Sequence, residues 1–374
     1  MESVPVFKPL LAEEEFAAAQ RSLEVGWLGM GADVAAFERA LSGVVGAPDR
    51  HVAAVSTGHA ALHIAFMLVG LAPEDEVIAP SFNNIADFQA ILATGARPVF
   101  CDVNEHSLCI DPEKIEELIG PKTRAIVAMD YACHLCEHDF ISDIAGRYGL
   151  RVIHDGAHSI GSAYKGKPIG SFSDVTVFSF DPVKTFTAID GGAIVVRSEE
   201  ELTKIQEMRL IGMGQPASVM YQNERAWTYD VRRLGFRYHM ANLHGAIGVA
   251  QLQKFEHIAR TRREVFAYYG ERLKDIEGLD IPSCDLEHVL PFLFYVRVLD
   301  GRREDLRAHL KRNGIDTGIH WQPGHWFSLF KNCRRGDLTV TERLGREILT
   351  IPFHSAMARA TQDRVVEAIR SFSW

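Results

Sequence analysis

The sequence predicts an α/β protein of two lobes, a large one built on a mostly parallel sheet and a smaller α+β lobe toward the C-terminal end. Three observations predict it. The chain has 374 residues, more than one small core uses and comfortable for two packed lobes. Over the first two-thirds, short runs rich in β-branched residues alternate with stretches of helical periodicity. Those runs are apolar on both faces, the pattern of strands covered by helices on each side of a sheet.

Taken in order, Val52–Ser56 reads as a strand, and Gly58–Gly70 as a helix with Leu62, Ala65, Phe66 and Val69 apolar. Glu76–Pro80 predicts a short strand and Ile85–Thr94 a helix. The apolar runs Pro98–Val103, Arg124–Met129, Leu150–His154, Val175–Phe180 and Gly192–Arg197 predict further strands. From Leu243 to about Asp275 the pattern turns helical. Beyond it, Phe292–Val298 predicts a strand, and Arg303–Asn313 and Thr361–Ser373 predict helices. We place the lobe boundary near residue 250: a large domain over 1–250 with an N-terminal arm, and a small domain over 251–374. No internal repeat, low-complexity tract or Pro/Gly-rich linker interrupts this order.

Composition narrows the function classes. The net charge of −9, from 40 basic and 49 acidic side chains, leaves no footprint for nucleic acid. The first residues, MESVPVFKPLLAEEEF, have neither a basic n-region nor an apolar h-region, which argues against a secretory signal. The apolar runs are short and broken by charge, so no membrane span is expected. Six cysteines, sparse and unevenly spaced, argue against a disulfide framework and favour a cytoplasmic setting.

Three segments stand at strand ends, where open α/β sheets place ligands. Ser56-Thr57-Gly58-His59 runs from a strand through a glycine into a helix. Free amides at that helix N-terminus form an anion site, although a tight turn has the same look. In His154-Asp155-Gly156-Ala157-His158, an aspartate follows a buried strand. Such a carboxylate wants a cationic partner, such as a protonated ring nitrogen, or else caps a turn. Ser179-Phe180-Asp181-Pro182-Val183-Lys184 places a lysine in an irregular stretch ahead of Gly191-Gly192. Desolvation there lowers an amine's pKa and makes it nucleophilic; a plain surface lysine is the alternative. A phosphate cradle, an aspartate and a loop lysine, in that order, are what an imine-bound pyridine phosphate needs.

Taken together, these segments resemble the pyridoxal 5'-phosphate (PLP)-dependent sugar aminotransferases of the DegT/DnrJ/EryC1/StrS family, over nearly the whole chain. Further segments carry the resemblance: Gly26-Trp27-Leu28-Gly29-Met30-Gly31 with Phe37-Glu38, Asp75 to Phe82, Gly95 to Phe100, Leu234 to Met240, and Ala246 to Leu252. The resemblance implies a fold type I aminotransferase with a large, mostly parallel, seven-stranded sheet. It also implies a homodimer with shared active sites. Lys184 falls on the lysine that carries the cofactor and Asp155 on the partner of its ring nitrogen. His158 falls near its ring hydroxyl, and Ser179, Gly58 and His59 on its phosphate cup. His325 falls near the sugar, and we group Trp27 and Tyr238 with it at the substrate. Three positions depart from the family. Asn84 replaces an aromatic stacked on the cofactor, Arg237 an asparagine that reaches the phosphate from the partner subunit, and His239 an arginine. Lys184 argues against the family's dehydratases, which have a histidine there.

The implied reaction moves an amino group from glutamate to a keto sugar, read as a nucleotide-linked keto-deoxyhexose, in amino-sugar biosynthesis. A non-nucleotide keto sugar, a cyclitol ketone, or a PLP-binding regulatory protein without turnover are the alternatives. Cys133-His134-Leu135-Cys136-Glu137-His138 resembles a metal motif but lacks a second CxxC, and no metal is expected. Gly166-Lys167-Pro168-Ile169-Gly170 reads as a hairpin turn, since it lacks the spacing of a phosphate loop.

Overall fold

The structure is a computed structural model that describes residues 3–374. Two helices lead the chain, α1 (Glu13–Val25) and α2 (Ala32–Val45). An alternating series follows: β1 (His51–Val55), α3 (Gly58–Val69), β2 (Glu76–Pro80), α4 (Ile85–Ala93), β3 (Arg97–Cys101), β4 (Thr123–Met129), α5 (His138–Tyr148) and β5 (Arg151–Asp155). A small hairpin, β6 (Ala163–Tyr164) and β7 (Lys167–Pro168), turns at Lys165 and Gly166, both at positive φ. Then come β8 (Val175–Ser179), β9 (Gly192–Val196), α6 (Glu199–Met208), α7 (Ala217–Met220), α8 (Asn242–Gln253) and α9 (Phe255–Leu273). The last part holds β10 (Leu279–Asp280), β11 (Phe294–Val298), α10 (Arg303–Arg312), α11 (Thr339–Glu347), β12 (Ile348–Ile351) and α12 (Arg359–Arg370).

The large sheet has seven strands in the order β1-β9-β8-β5-β4-β2-β3. Neighbours β8, β5, β4, β2 and β3 are parallel, while β9 pairs antiparallel with both β1 and β8. β1 therefore runs with the parallel set, and β9 alone is reversed. Six strands thus end on the same edge, where loops after a parallel sheet gather ligand groups. A separate three-stranded sheet, β10-β11-β12, forms further along the chain. Each predicted strand and helix has a counterpart within a few residues. The sequence reading passed over α1, α2, α5, α6, α7, β10, α11 and β12.

One buried ion pair anchors α2 to the sheet. Arg209, fully buried, donates from Nη1 to Glu38 Oε1 and to the Ala54 carbonyl of β1, each at 2.6 Å. Its Nη2 meets the Tyr221 hydroxyl at 2.7 Å, and that hydroxyl also donates to Glu38. Ala54 N–H donates to the same carboxylate at 2.8 Å. Both terminal nitrogens of Arg209 are engaged, which helps a buried charge pair offset its desolvation. Glu38 is thereby explained as the tie between α2, β1 and the segment after α6.

The CxxC segment folds into a different network. Asp130, at the end of β4, accepts from His138 Nε2 at 3.0 Å and His154 Nε2 at 2.7 Å, all three buried. Cys136 N–H donates to the same carboxylate at 2.8 Å. The Cys133 thiol instead faces the Ser283 carbonyl at 3.9 Å. This network pins the loop after β4 against β5, one residue before Asp155.

Candidate active site

At the shared edge lies a cavity of about 690 Å³. Its walls include Gly58, Asn84, Asp155, His158, Ser179 and Lys184, together with Phe292 and Trp321. Residues scattered over 57–190 therefore converge because their strands are parallel and end together.

The anion end is built by α3. Thr57 caps the helix, its hydroxyl accepting from Ala60 N–H at 2.9 Å. Among the described residues the amides of Gly58 and His59 have no backbone partner, as helix N-termini leave them. Gly58 packs against Ser179 so closely that a Cβ would lie 2.8 Å from both Ser179 Cβ and Oγ. Only glycine allows that approach. Ser179 Oγ makes no hydrogen bond among the described residues. A free hydroxyl beside free amides and a helix dipole suits a phosphate.

At the end of β5, Asp155 Oδ1 accepts from Ala157 N–H at 2.9 Å. Burial pushes its carboxyl up, while this amide and Lys184 pull it down. His158 stacks on Phe292, centroids 4.2 Å apart. Ala132 N–H donates to its Nδ1 at 3.3 Å, which assigns the ring proton to Nε2. Burial, with Lys184 nearby, pushes its pKa well down, so the ring is neutral.

Lys184 sits in a loop tied at both ends. Asp181 Oδ1 accepts from Val183 N–H at 3.0 Å, Lys184 N–H bonds to the Asp181 carbonyl at 3.0 Å, and Ala188 N–H to the Phe180 carbonyl at 3.0 Å. Its Nζ lies 4.6 Å from the centroid of the Phe292 ring. Burial lowers the amine's pKa; Asp155, Asp181 and Asp87 oppose that shift. The result is an amine held inside the cavity at reduced basicity. A phosphate cradle, a carboxylate and this amine fit PLP, and a Cβ at Gly58 would fill part of the cradle.

Asn84 lines the cavity and caps α4, its Oδ1 accepting from Ala86 N–H at 2.9 Å. Sequence reasoning missed the aromatic wall. Phe7, Phe292, His320 and Trp321 arrive from the chain's start and from beyond residue 290, with no periodic signal to mark them. Phe292 was legible only as the start of a strand, not as a wall of the site.

Four residues stand outside this cavity. His325 is buried, its Nδ1 2.8 Å from Ser81 Oγ and its Nε2 3.4 Å from Glu342. Tyr238 packs on Phe236 and meets His63 Nδ1 at 3.2 Å. Trp27 and Arg237 line a second cavity of about 320 Å³, with Trp227, Tyr229 and His239.

The fold and this cavity define a fold type I enzyme that works with PLP on amino groups. The model of the DegT/DnrJ/EryC1/StrS aminotransferase family matches residues 9–370, and the chain belongs to that family. It is a PLP-dependent sugar aminotransferase. The uncharacterized protein MJ1066 of Methanocaldococcus jannaschii is 31% identical over 376 residues, covering 98% of this chain and 96% of its own. Among solved structures, the aminotransferase TlmJ from Streptoalloteichus hindustanus is 29% identical at a TM-score of 0.90, covering 98% of each chain. The sugar aminotransferase CalS13 from Micromonospora echinospora is 25% identical at a TM-score of 0.88, covering 98% of this chain and 99% of its own. No helix among the described residues is long and apolar enough to cross a membrane.

Proposed function

We propose that the enzyme moves an amino group from L-glutamate to the ketone of a nucleotide-linked deoxyhexose. The convergence of Lys184, Asp155 and the Gly58–Ser179 cradle in one cavity carries the reading. Bound PLP supplies an electron-accepting ring. Ser179 Oγ and the Gly58 and His59 amides hold its phosphate. Asp155 holds the proton on the ring nitrogen. His158, with its proton on Nε2, would offer a donor to the ring hydroxyl. Lys184 would carry the cofactor on its Nζ, and the same amine, buried at reduced basicity, would be the base placed to take a proton from the donor Cα. The aromatic wall of Phe292 and Trp321 excludes water from that step.

The active assembly we propose is a homodimer with shared sites. Trp227 is 85% exposed and Leu234 71% exposed. With Tyr229 and Val231 they make an apolar face beside the second cavity, where Trp27 and Arg237 lie. In a dimer that face is covered, and Trp27 and Arg237 face the partner's cofactor and sugar. The nucleotide reading is tested by converting the enzyme with glutamate, then adding nucleotide-linked keto sugars. Return of the starting absorption with a sugar amine formed supports it. Return only with free keto sugars or cyclitol ketones contradicts it.

A further inference from the structure

Behind Asp155 lies a second carboxyl with no role so far. Asp87 occupies the first turn of α4 and is fully buried. Its Oδ2 accepts from Asn83 Nδ2 at 2.7 Å, so Oδ2 is the acceptor oxygen. Its Oδ1 is buried and faces no N–H or O–H donor. Within hydrogen-bonding reach of it is the Asp155 carboxyl. Two acceptors cannot bond unless one carries a proton, and two bare carboxylates side by side do not both ionise in a buried site.

We propose that Asp87 is a positioning residue for the cofactor's ring-nitrogen partner, a neutral acid that donates from Oδ1 to the Asp155 carboxylate. The proton goes to Asp87 and not Asp155 for a structural reason. Asp155 already accepts from Ala157 N–H and is stabilised as an anion by Lys184. Asp87 is fully buried whereas Asp155 keeps a slight exposure at the cavity, and the Asp155 charge beside it raises its carboxyl further. The pair therefore carries one negative charge. Two donors from different elements, Ala157 N–H after β5 and Asp87 in α4, fix the orientation of Asp155 and leave a lone pair for the ring nitrogen. Asn84, which caps α4, sets the placement of Asp87 three residues on.

This inference rests on the PLP reading of the cavity, so its test has one arm that does not. In the apo protein at neutral pH, infrared difference spectra should show the C=O stretch of a neutral carboxylic acid, lost in Asp87→Asn. Absence of that band overturns the proposal, whether or not PLP binds. The second arm is titration of the apo proteins with PLP, followed by absorption. Asp87→Asn puts an N–H donor where Oδ1 was and should keep the affinity within about threefold. Asp87→Leu removes the donor to a charged acceptor and should weaken PLP roughly 10- to 100-fold. Loss in the Asn protein equal to that in the Leu protein would overturn the donor role. So would unchanged affinity in a Leu protein whose melting profile shows it folded. If Asp87→Leu fails to fold, the Asn titration and the infrared band decide alone.

Discussion

Burial sets the protonation of the side chains that frame the cavity, and this was only partly legible in the residues. Asp155 and Ser179 were readable as candidates because each ends a strand, and Lys184 because it stands in the short loop after one, where a polar group beside apolar neighbours is conspicuous. Asp87 was not, since nothing in its local sequence shows that α4 brings it against Asp155. The same holds for His320, which burial pushes down to about 4, and for His134, pushed down to about 4 beside Tyr295. Both are neutral in the fold, whereas an unfolded histidine takes up its proton near 6.5. The folded state then binds fewer protons than the unfolded one. Their contribution to stability is full above about 6.5 and is lost as pH falls toward about 4. Urea unfolding should show a midpoint that is level near pH 8 and falls across that acid window. A midpoint that stays level down to about pH 4 would contradict the neutral assignment.

At the scale of elements, the strand–glycine–helix from β1 into α3 was legible because local rules decide it: a cap at Thr57, a glycine, and an apolar helix face. What periodicity could not reveal is direction. β9 reads as one more buried strand, yet it alone runs backwards, and its start passes under the loop at Thr57. A Cβ at Gly192 would lie 2.3 Å from the Thr57 carbonyl oxygen. α6 and α11 carry many charged residues, and β12 has four residues directly after α11, so neither type of signal stood clear. The cradle makes an element-level prediction. Gly58→Ala must push Ser179 away from the phosphate end. PLP should bind more weakly, on the order of tenfold for one hydrogen bond lost, while pyridoxal, which lacks the phosphate, should bind about as before. Equal weakening of both would mean the change disturbs the ring site instead of the phosphate cup.

Over the whole molecule, the parallel sheet and the site order were legible because six strands ending on one edge follow from the α/β alternation. The proposed assembly comes from the resemblance alone, since exposure depends on how α7 and the following segment fold back. An apolar face with Trp227 and Leu234 this exposed is expected to be covered. Sedimentation should give about twice the chain mass of 41.7 kDa, and Leu234→Asp should shift it toward one chain. A monomer at working concentration would contradict the shared-site assembly. The central claim, that Lys184 and this cavity run amino transfer on PLP, is tested most directly by visible absorption of the purified holoenzyme on addition of L-glutamate. The account predicts that the band bleaches, with 2-oxoglutarate released in proportion to sites, and that Lys184→Ala releases none. A bound band that ignores glutamate would contradict the donor, and no band after PLP is added would contradict the claim itself.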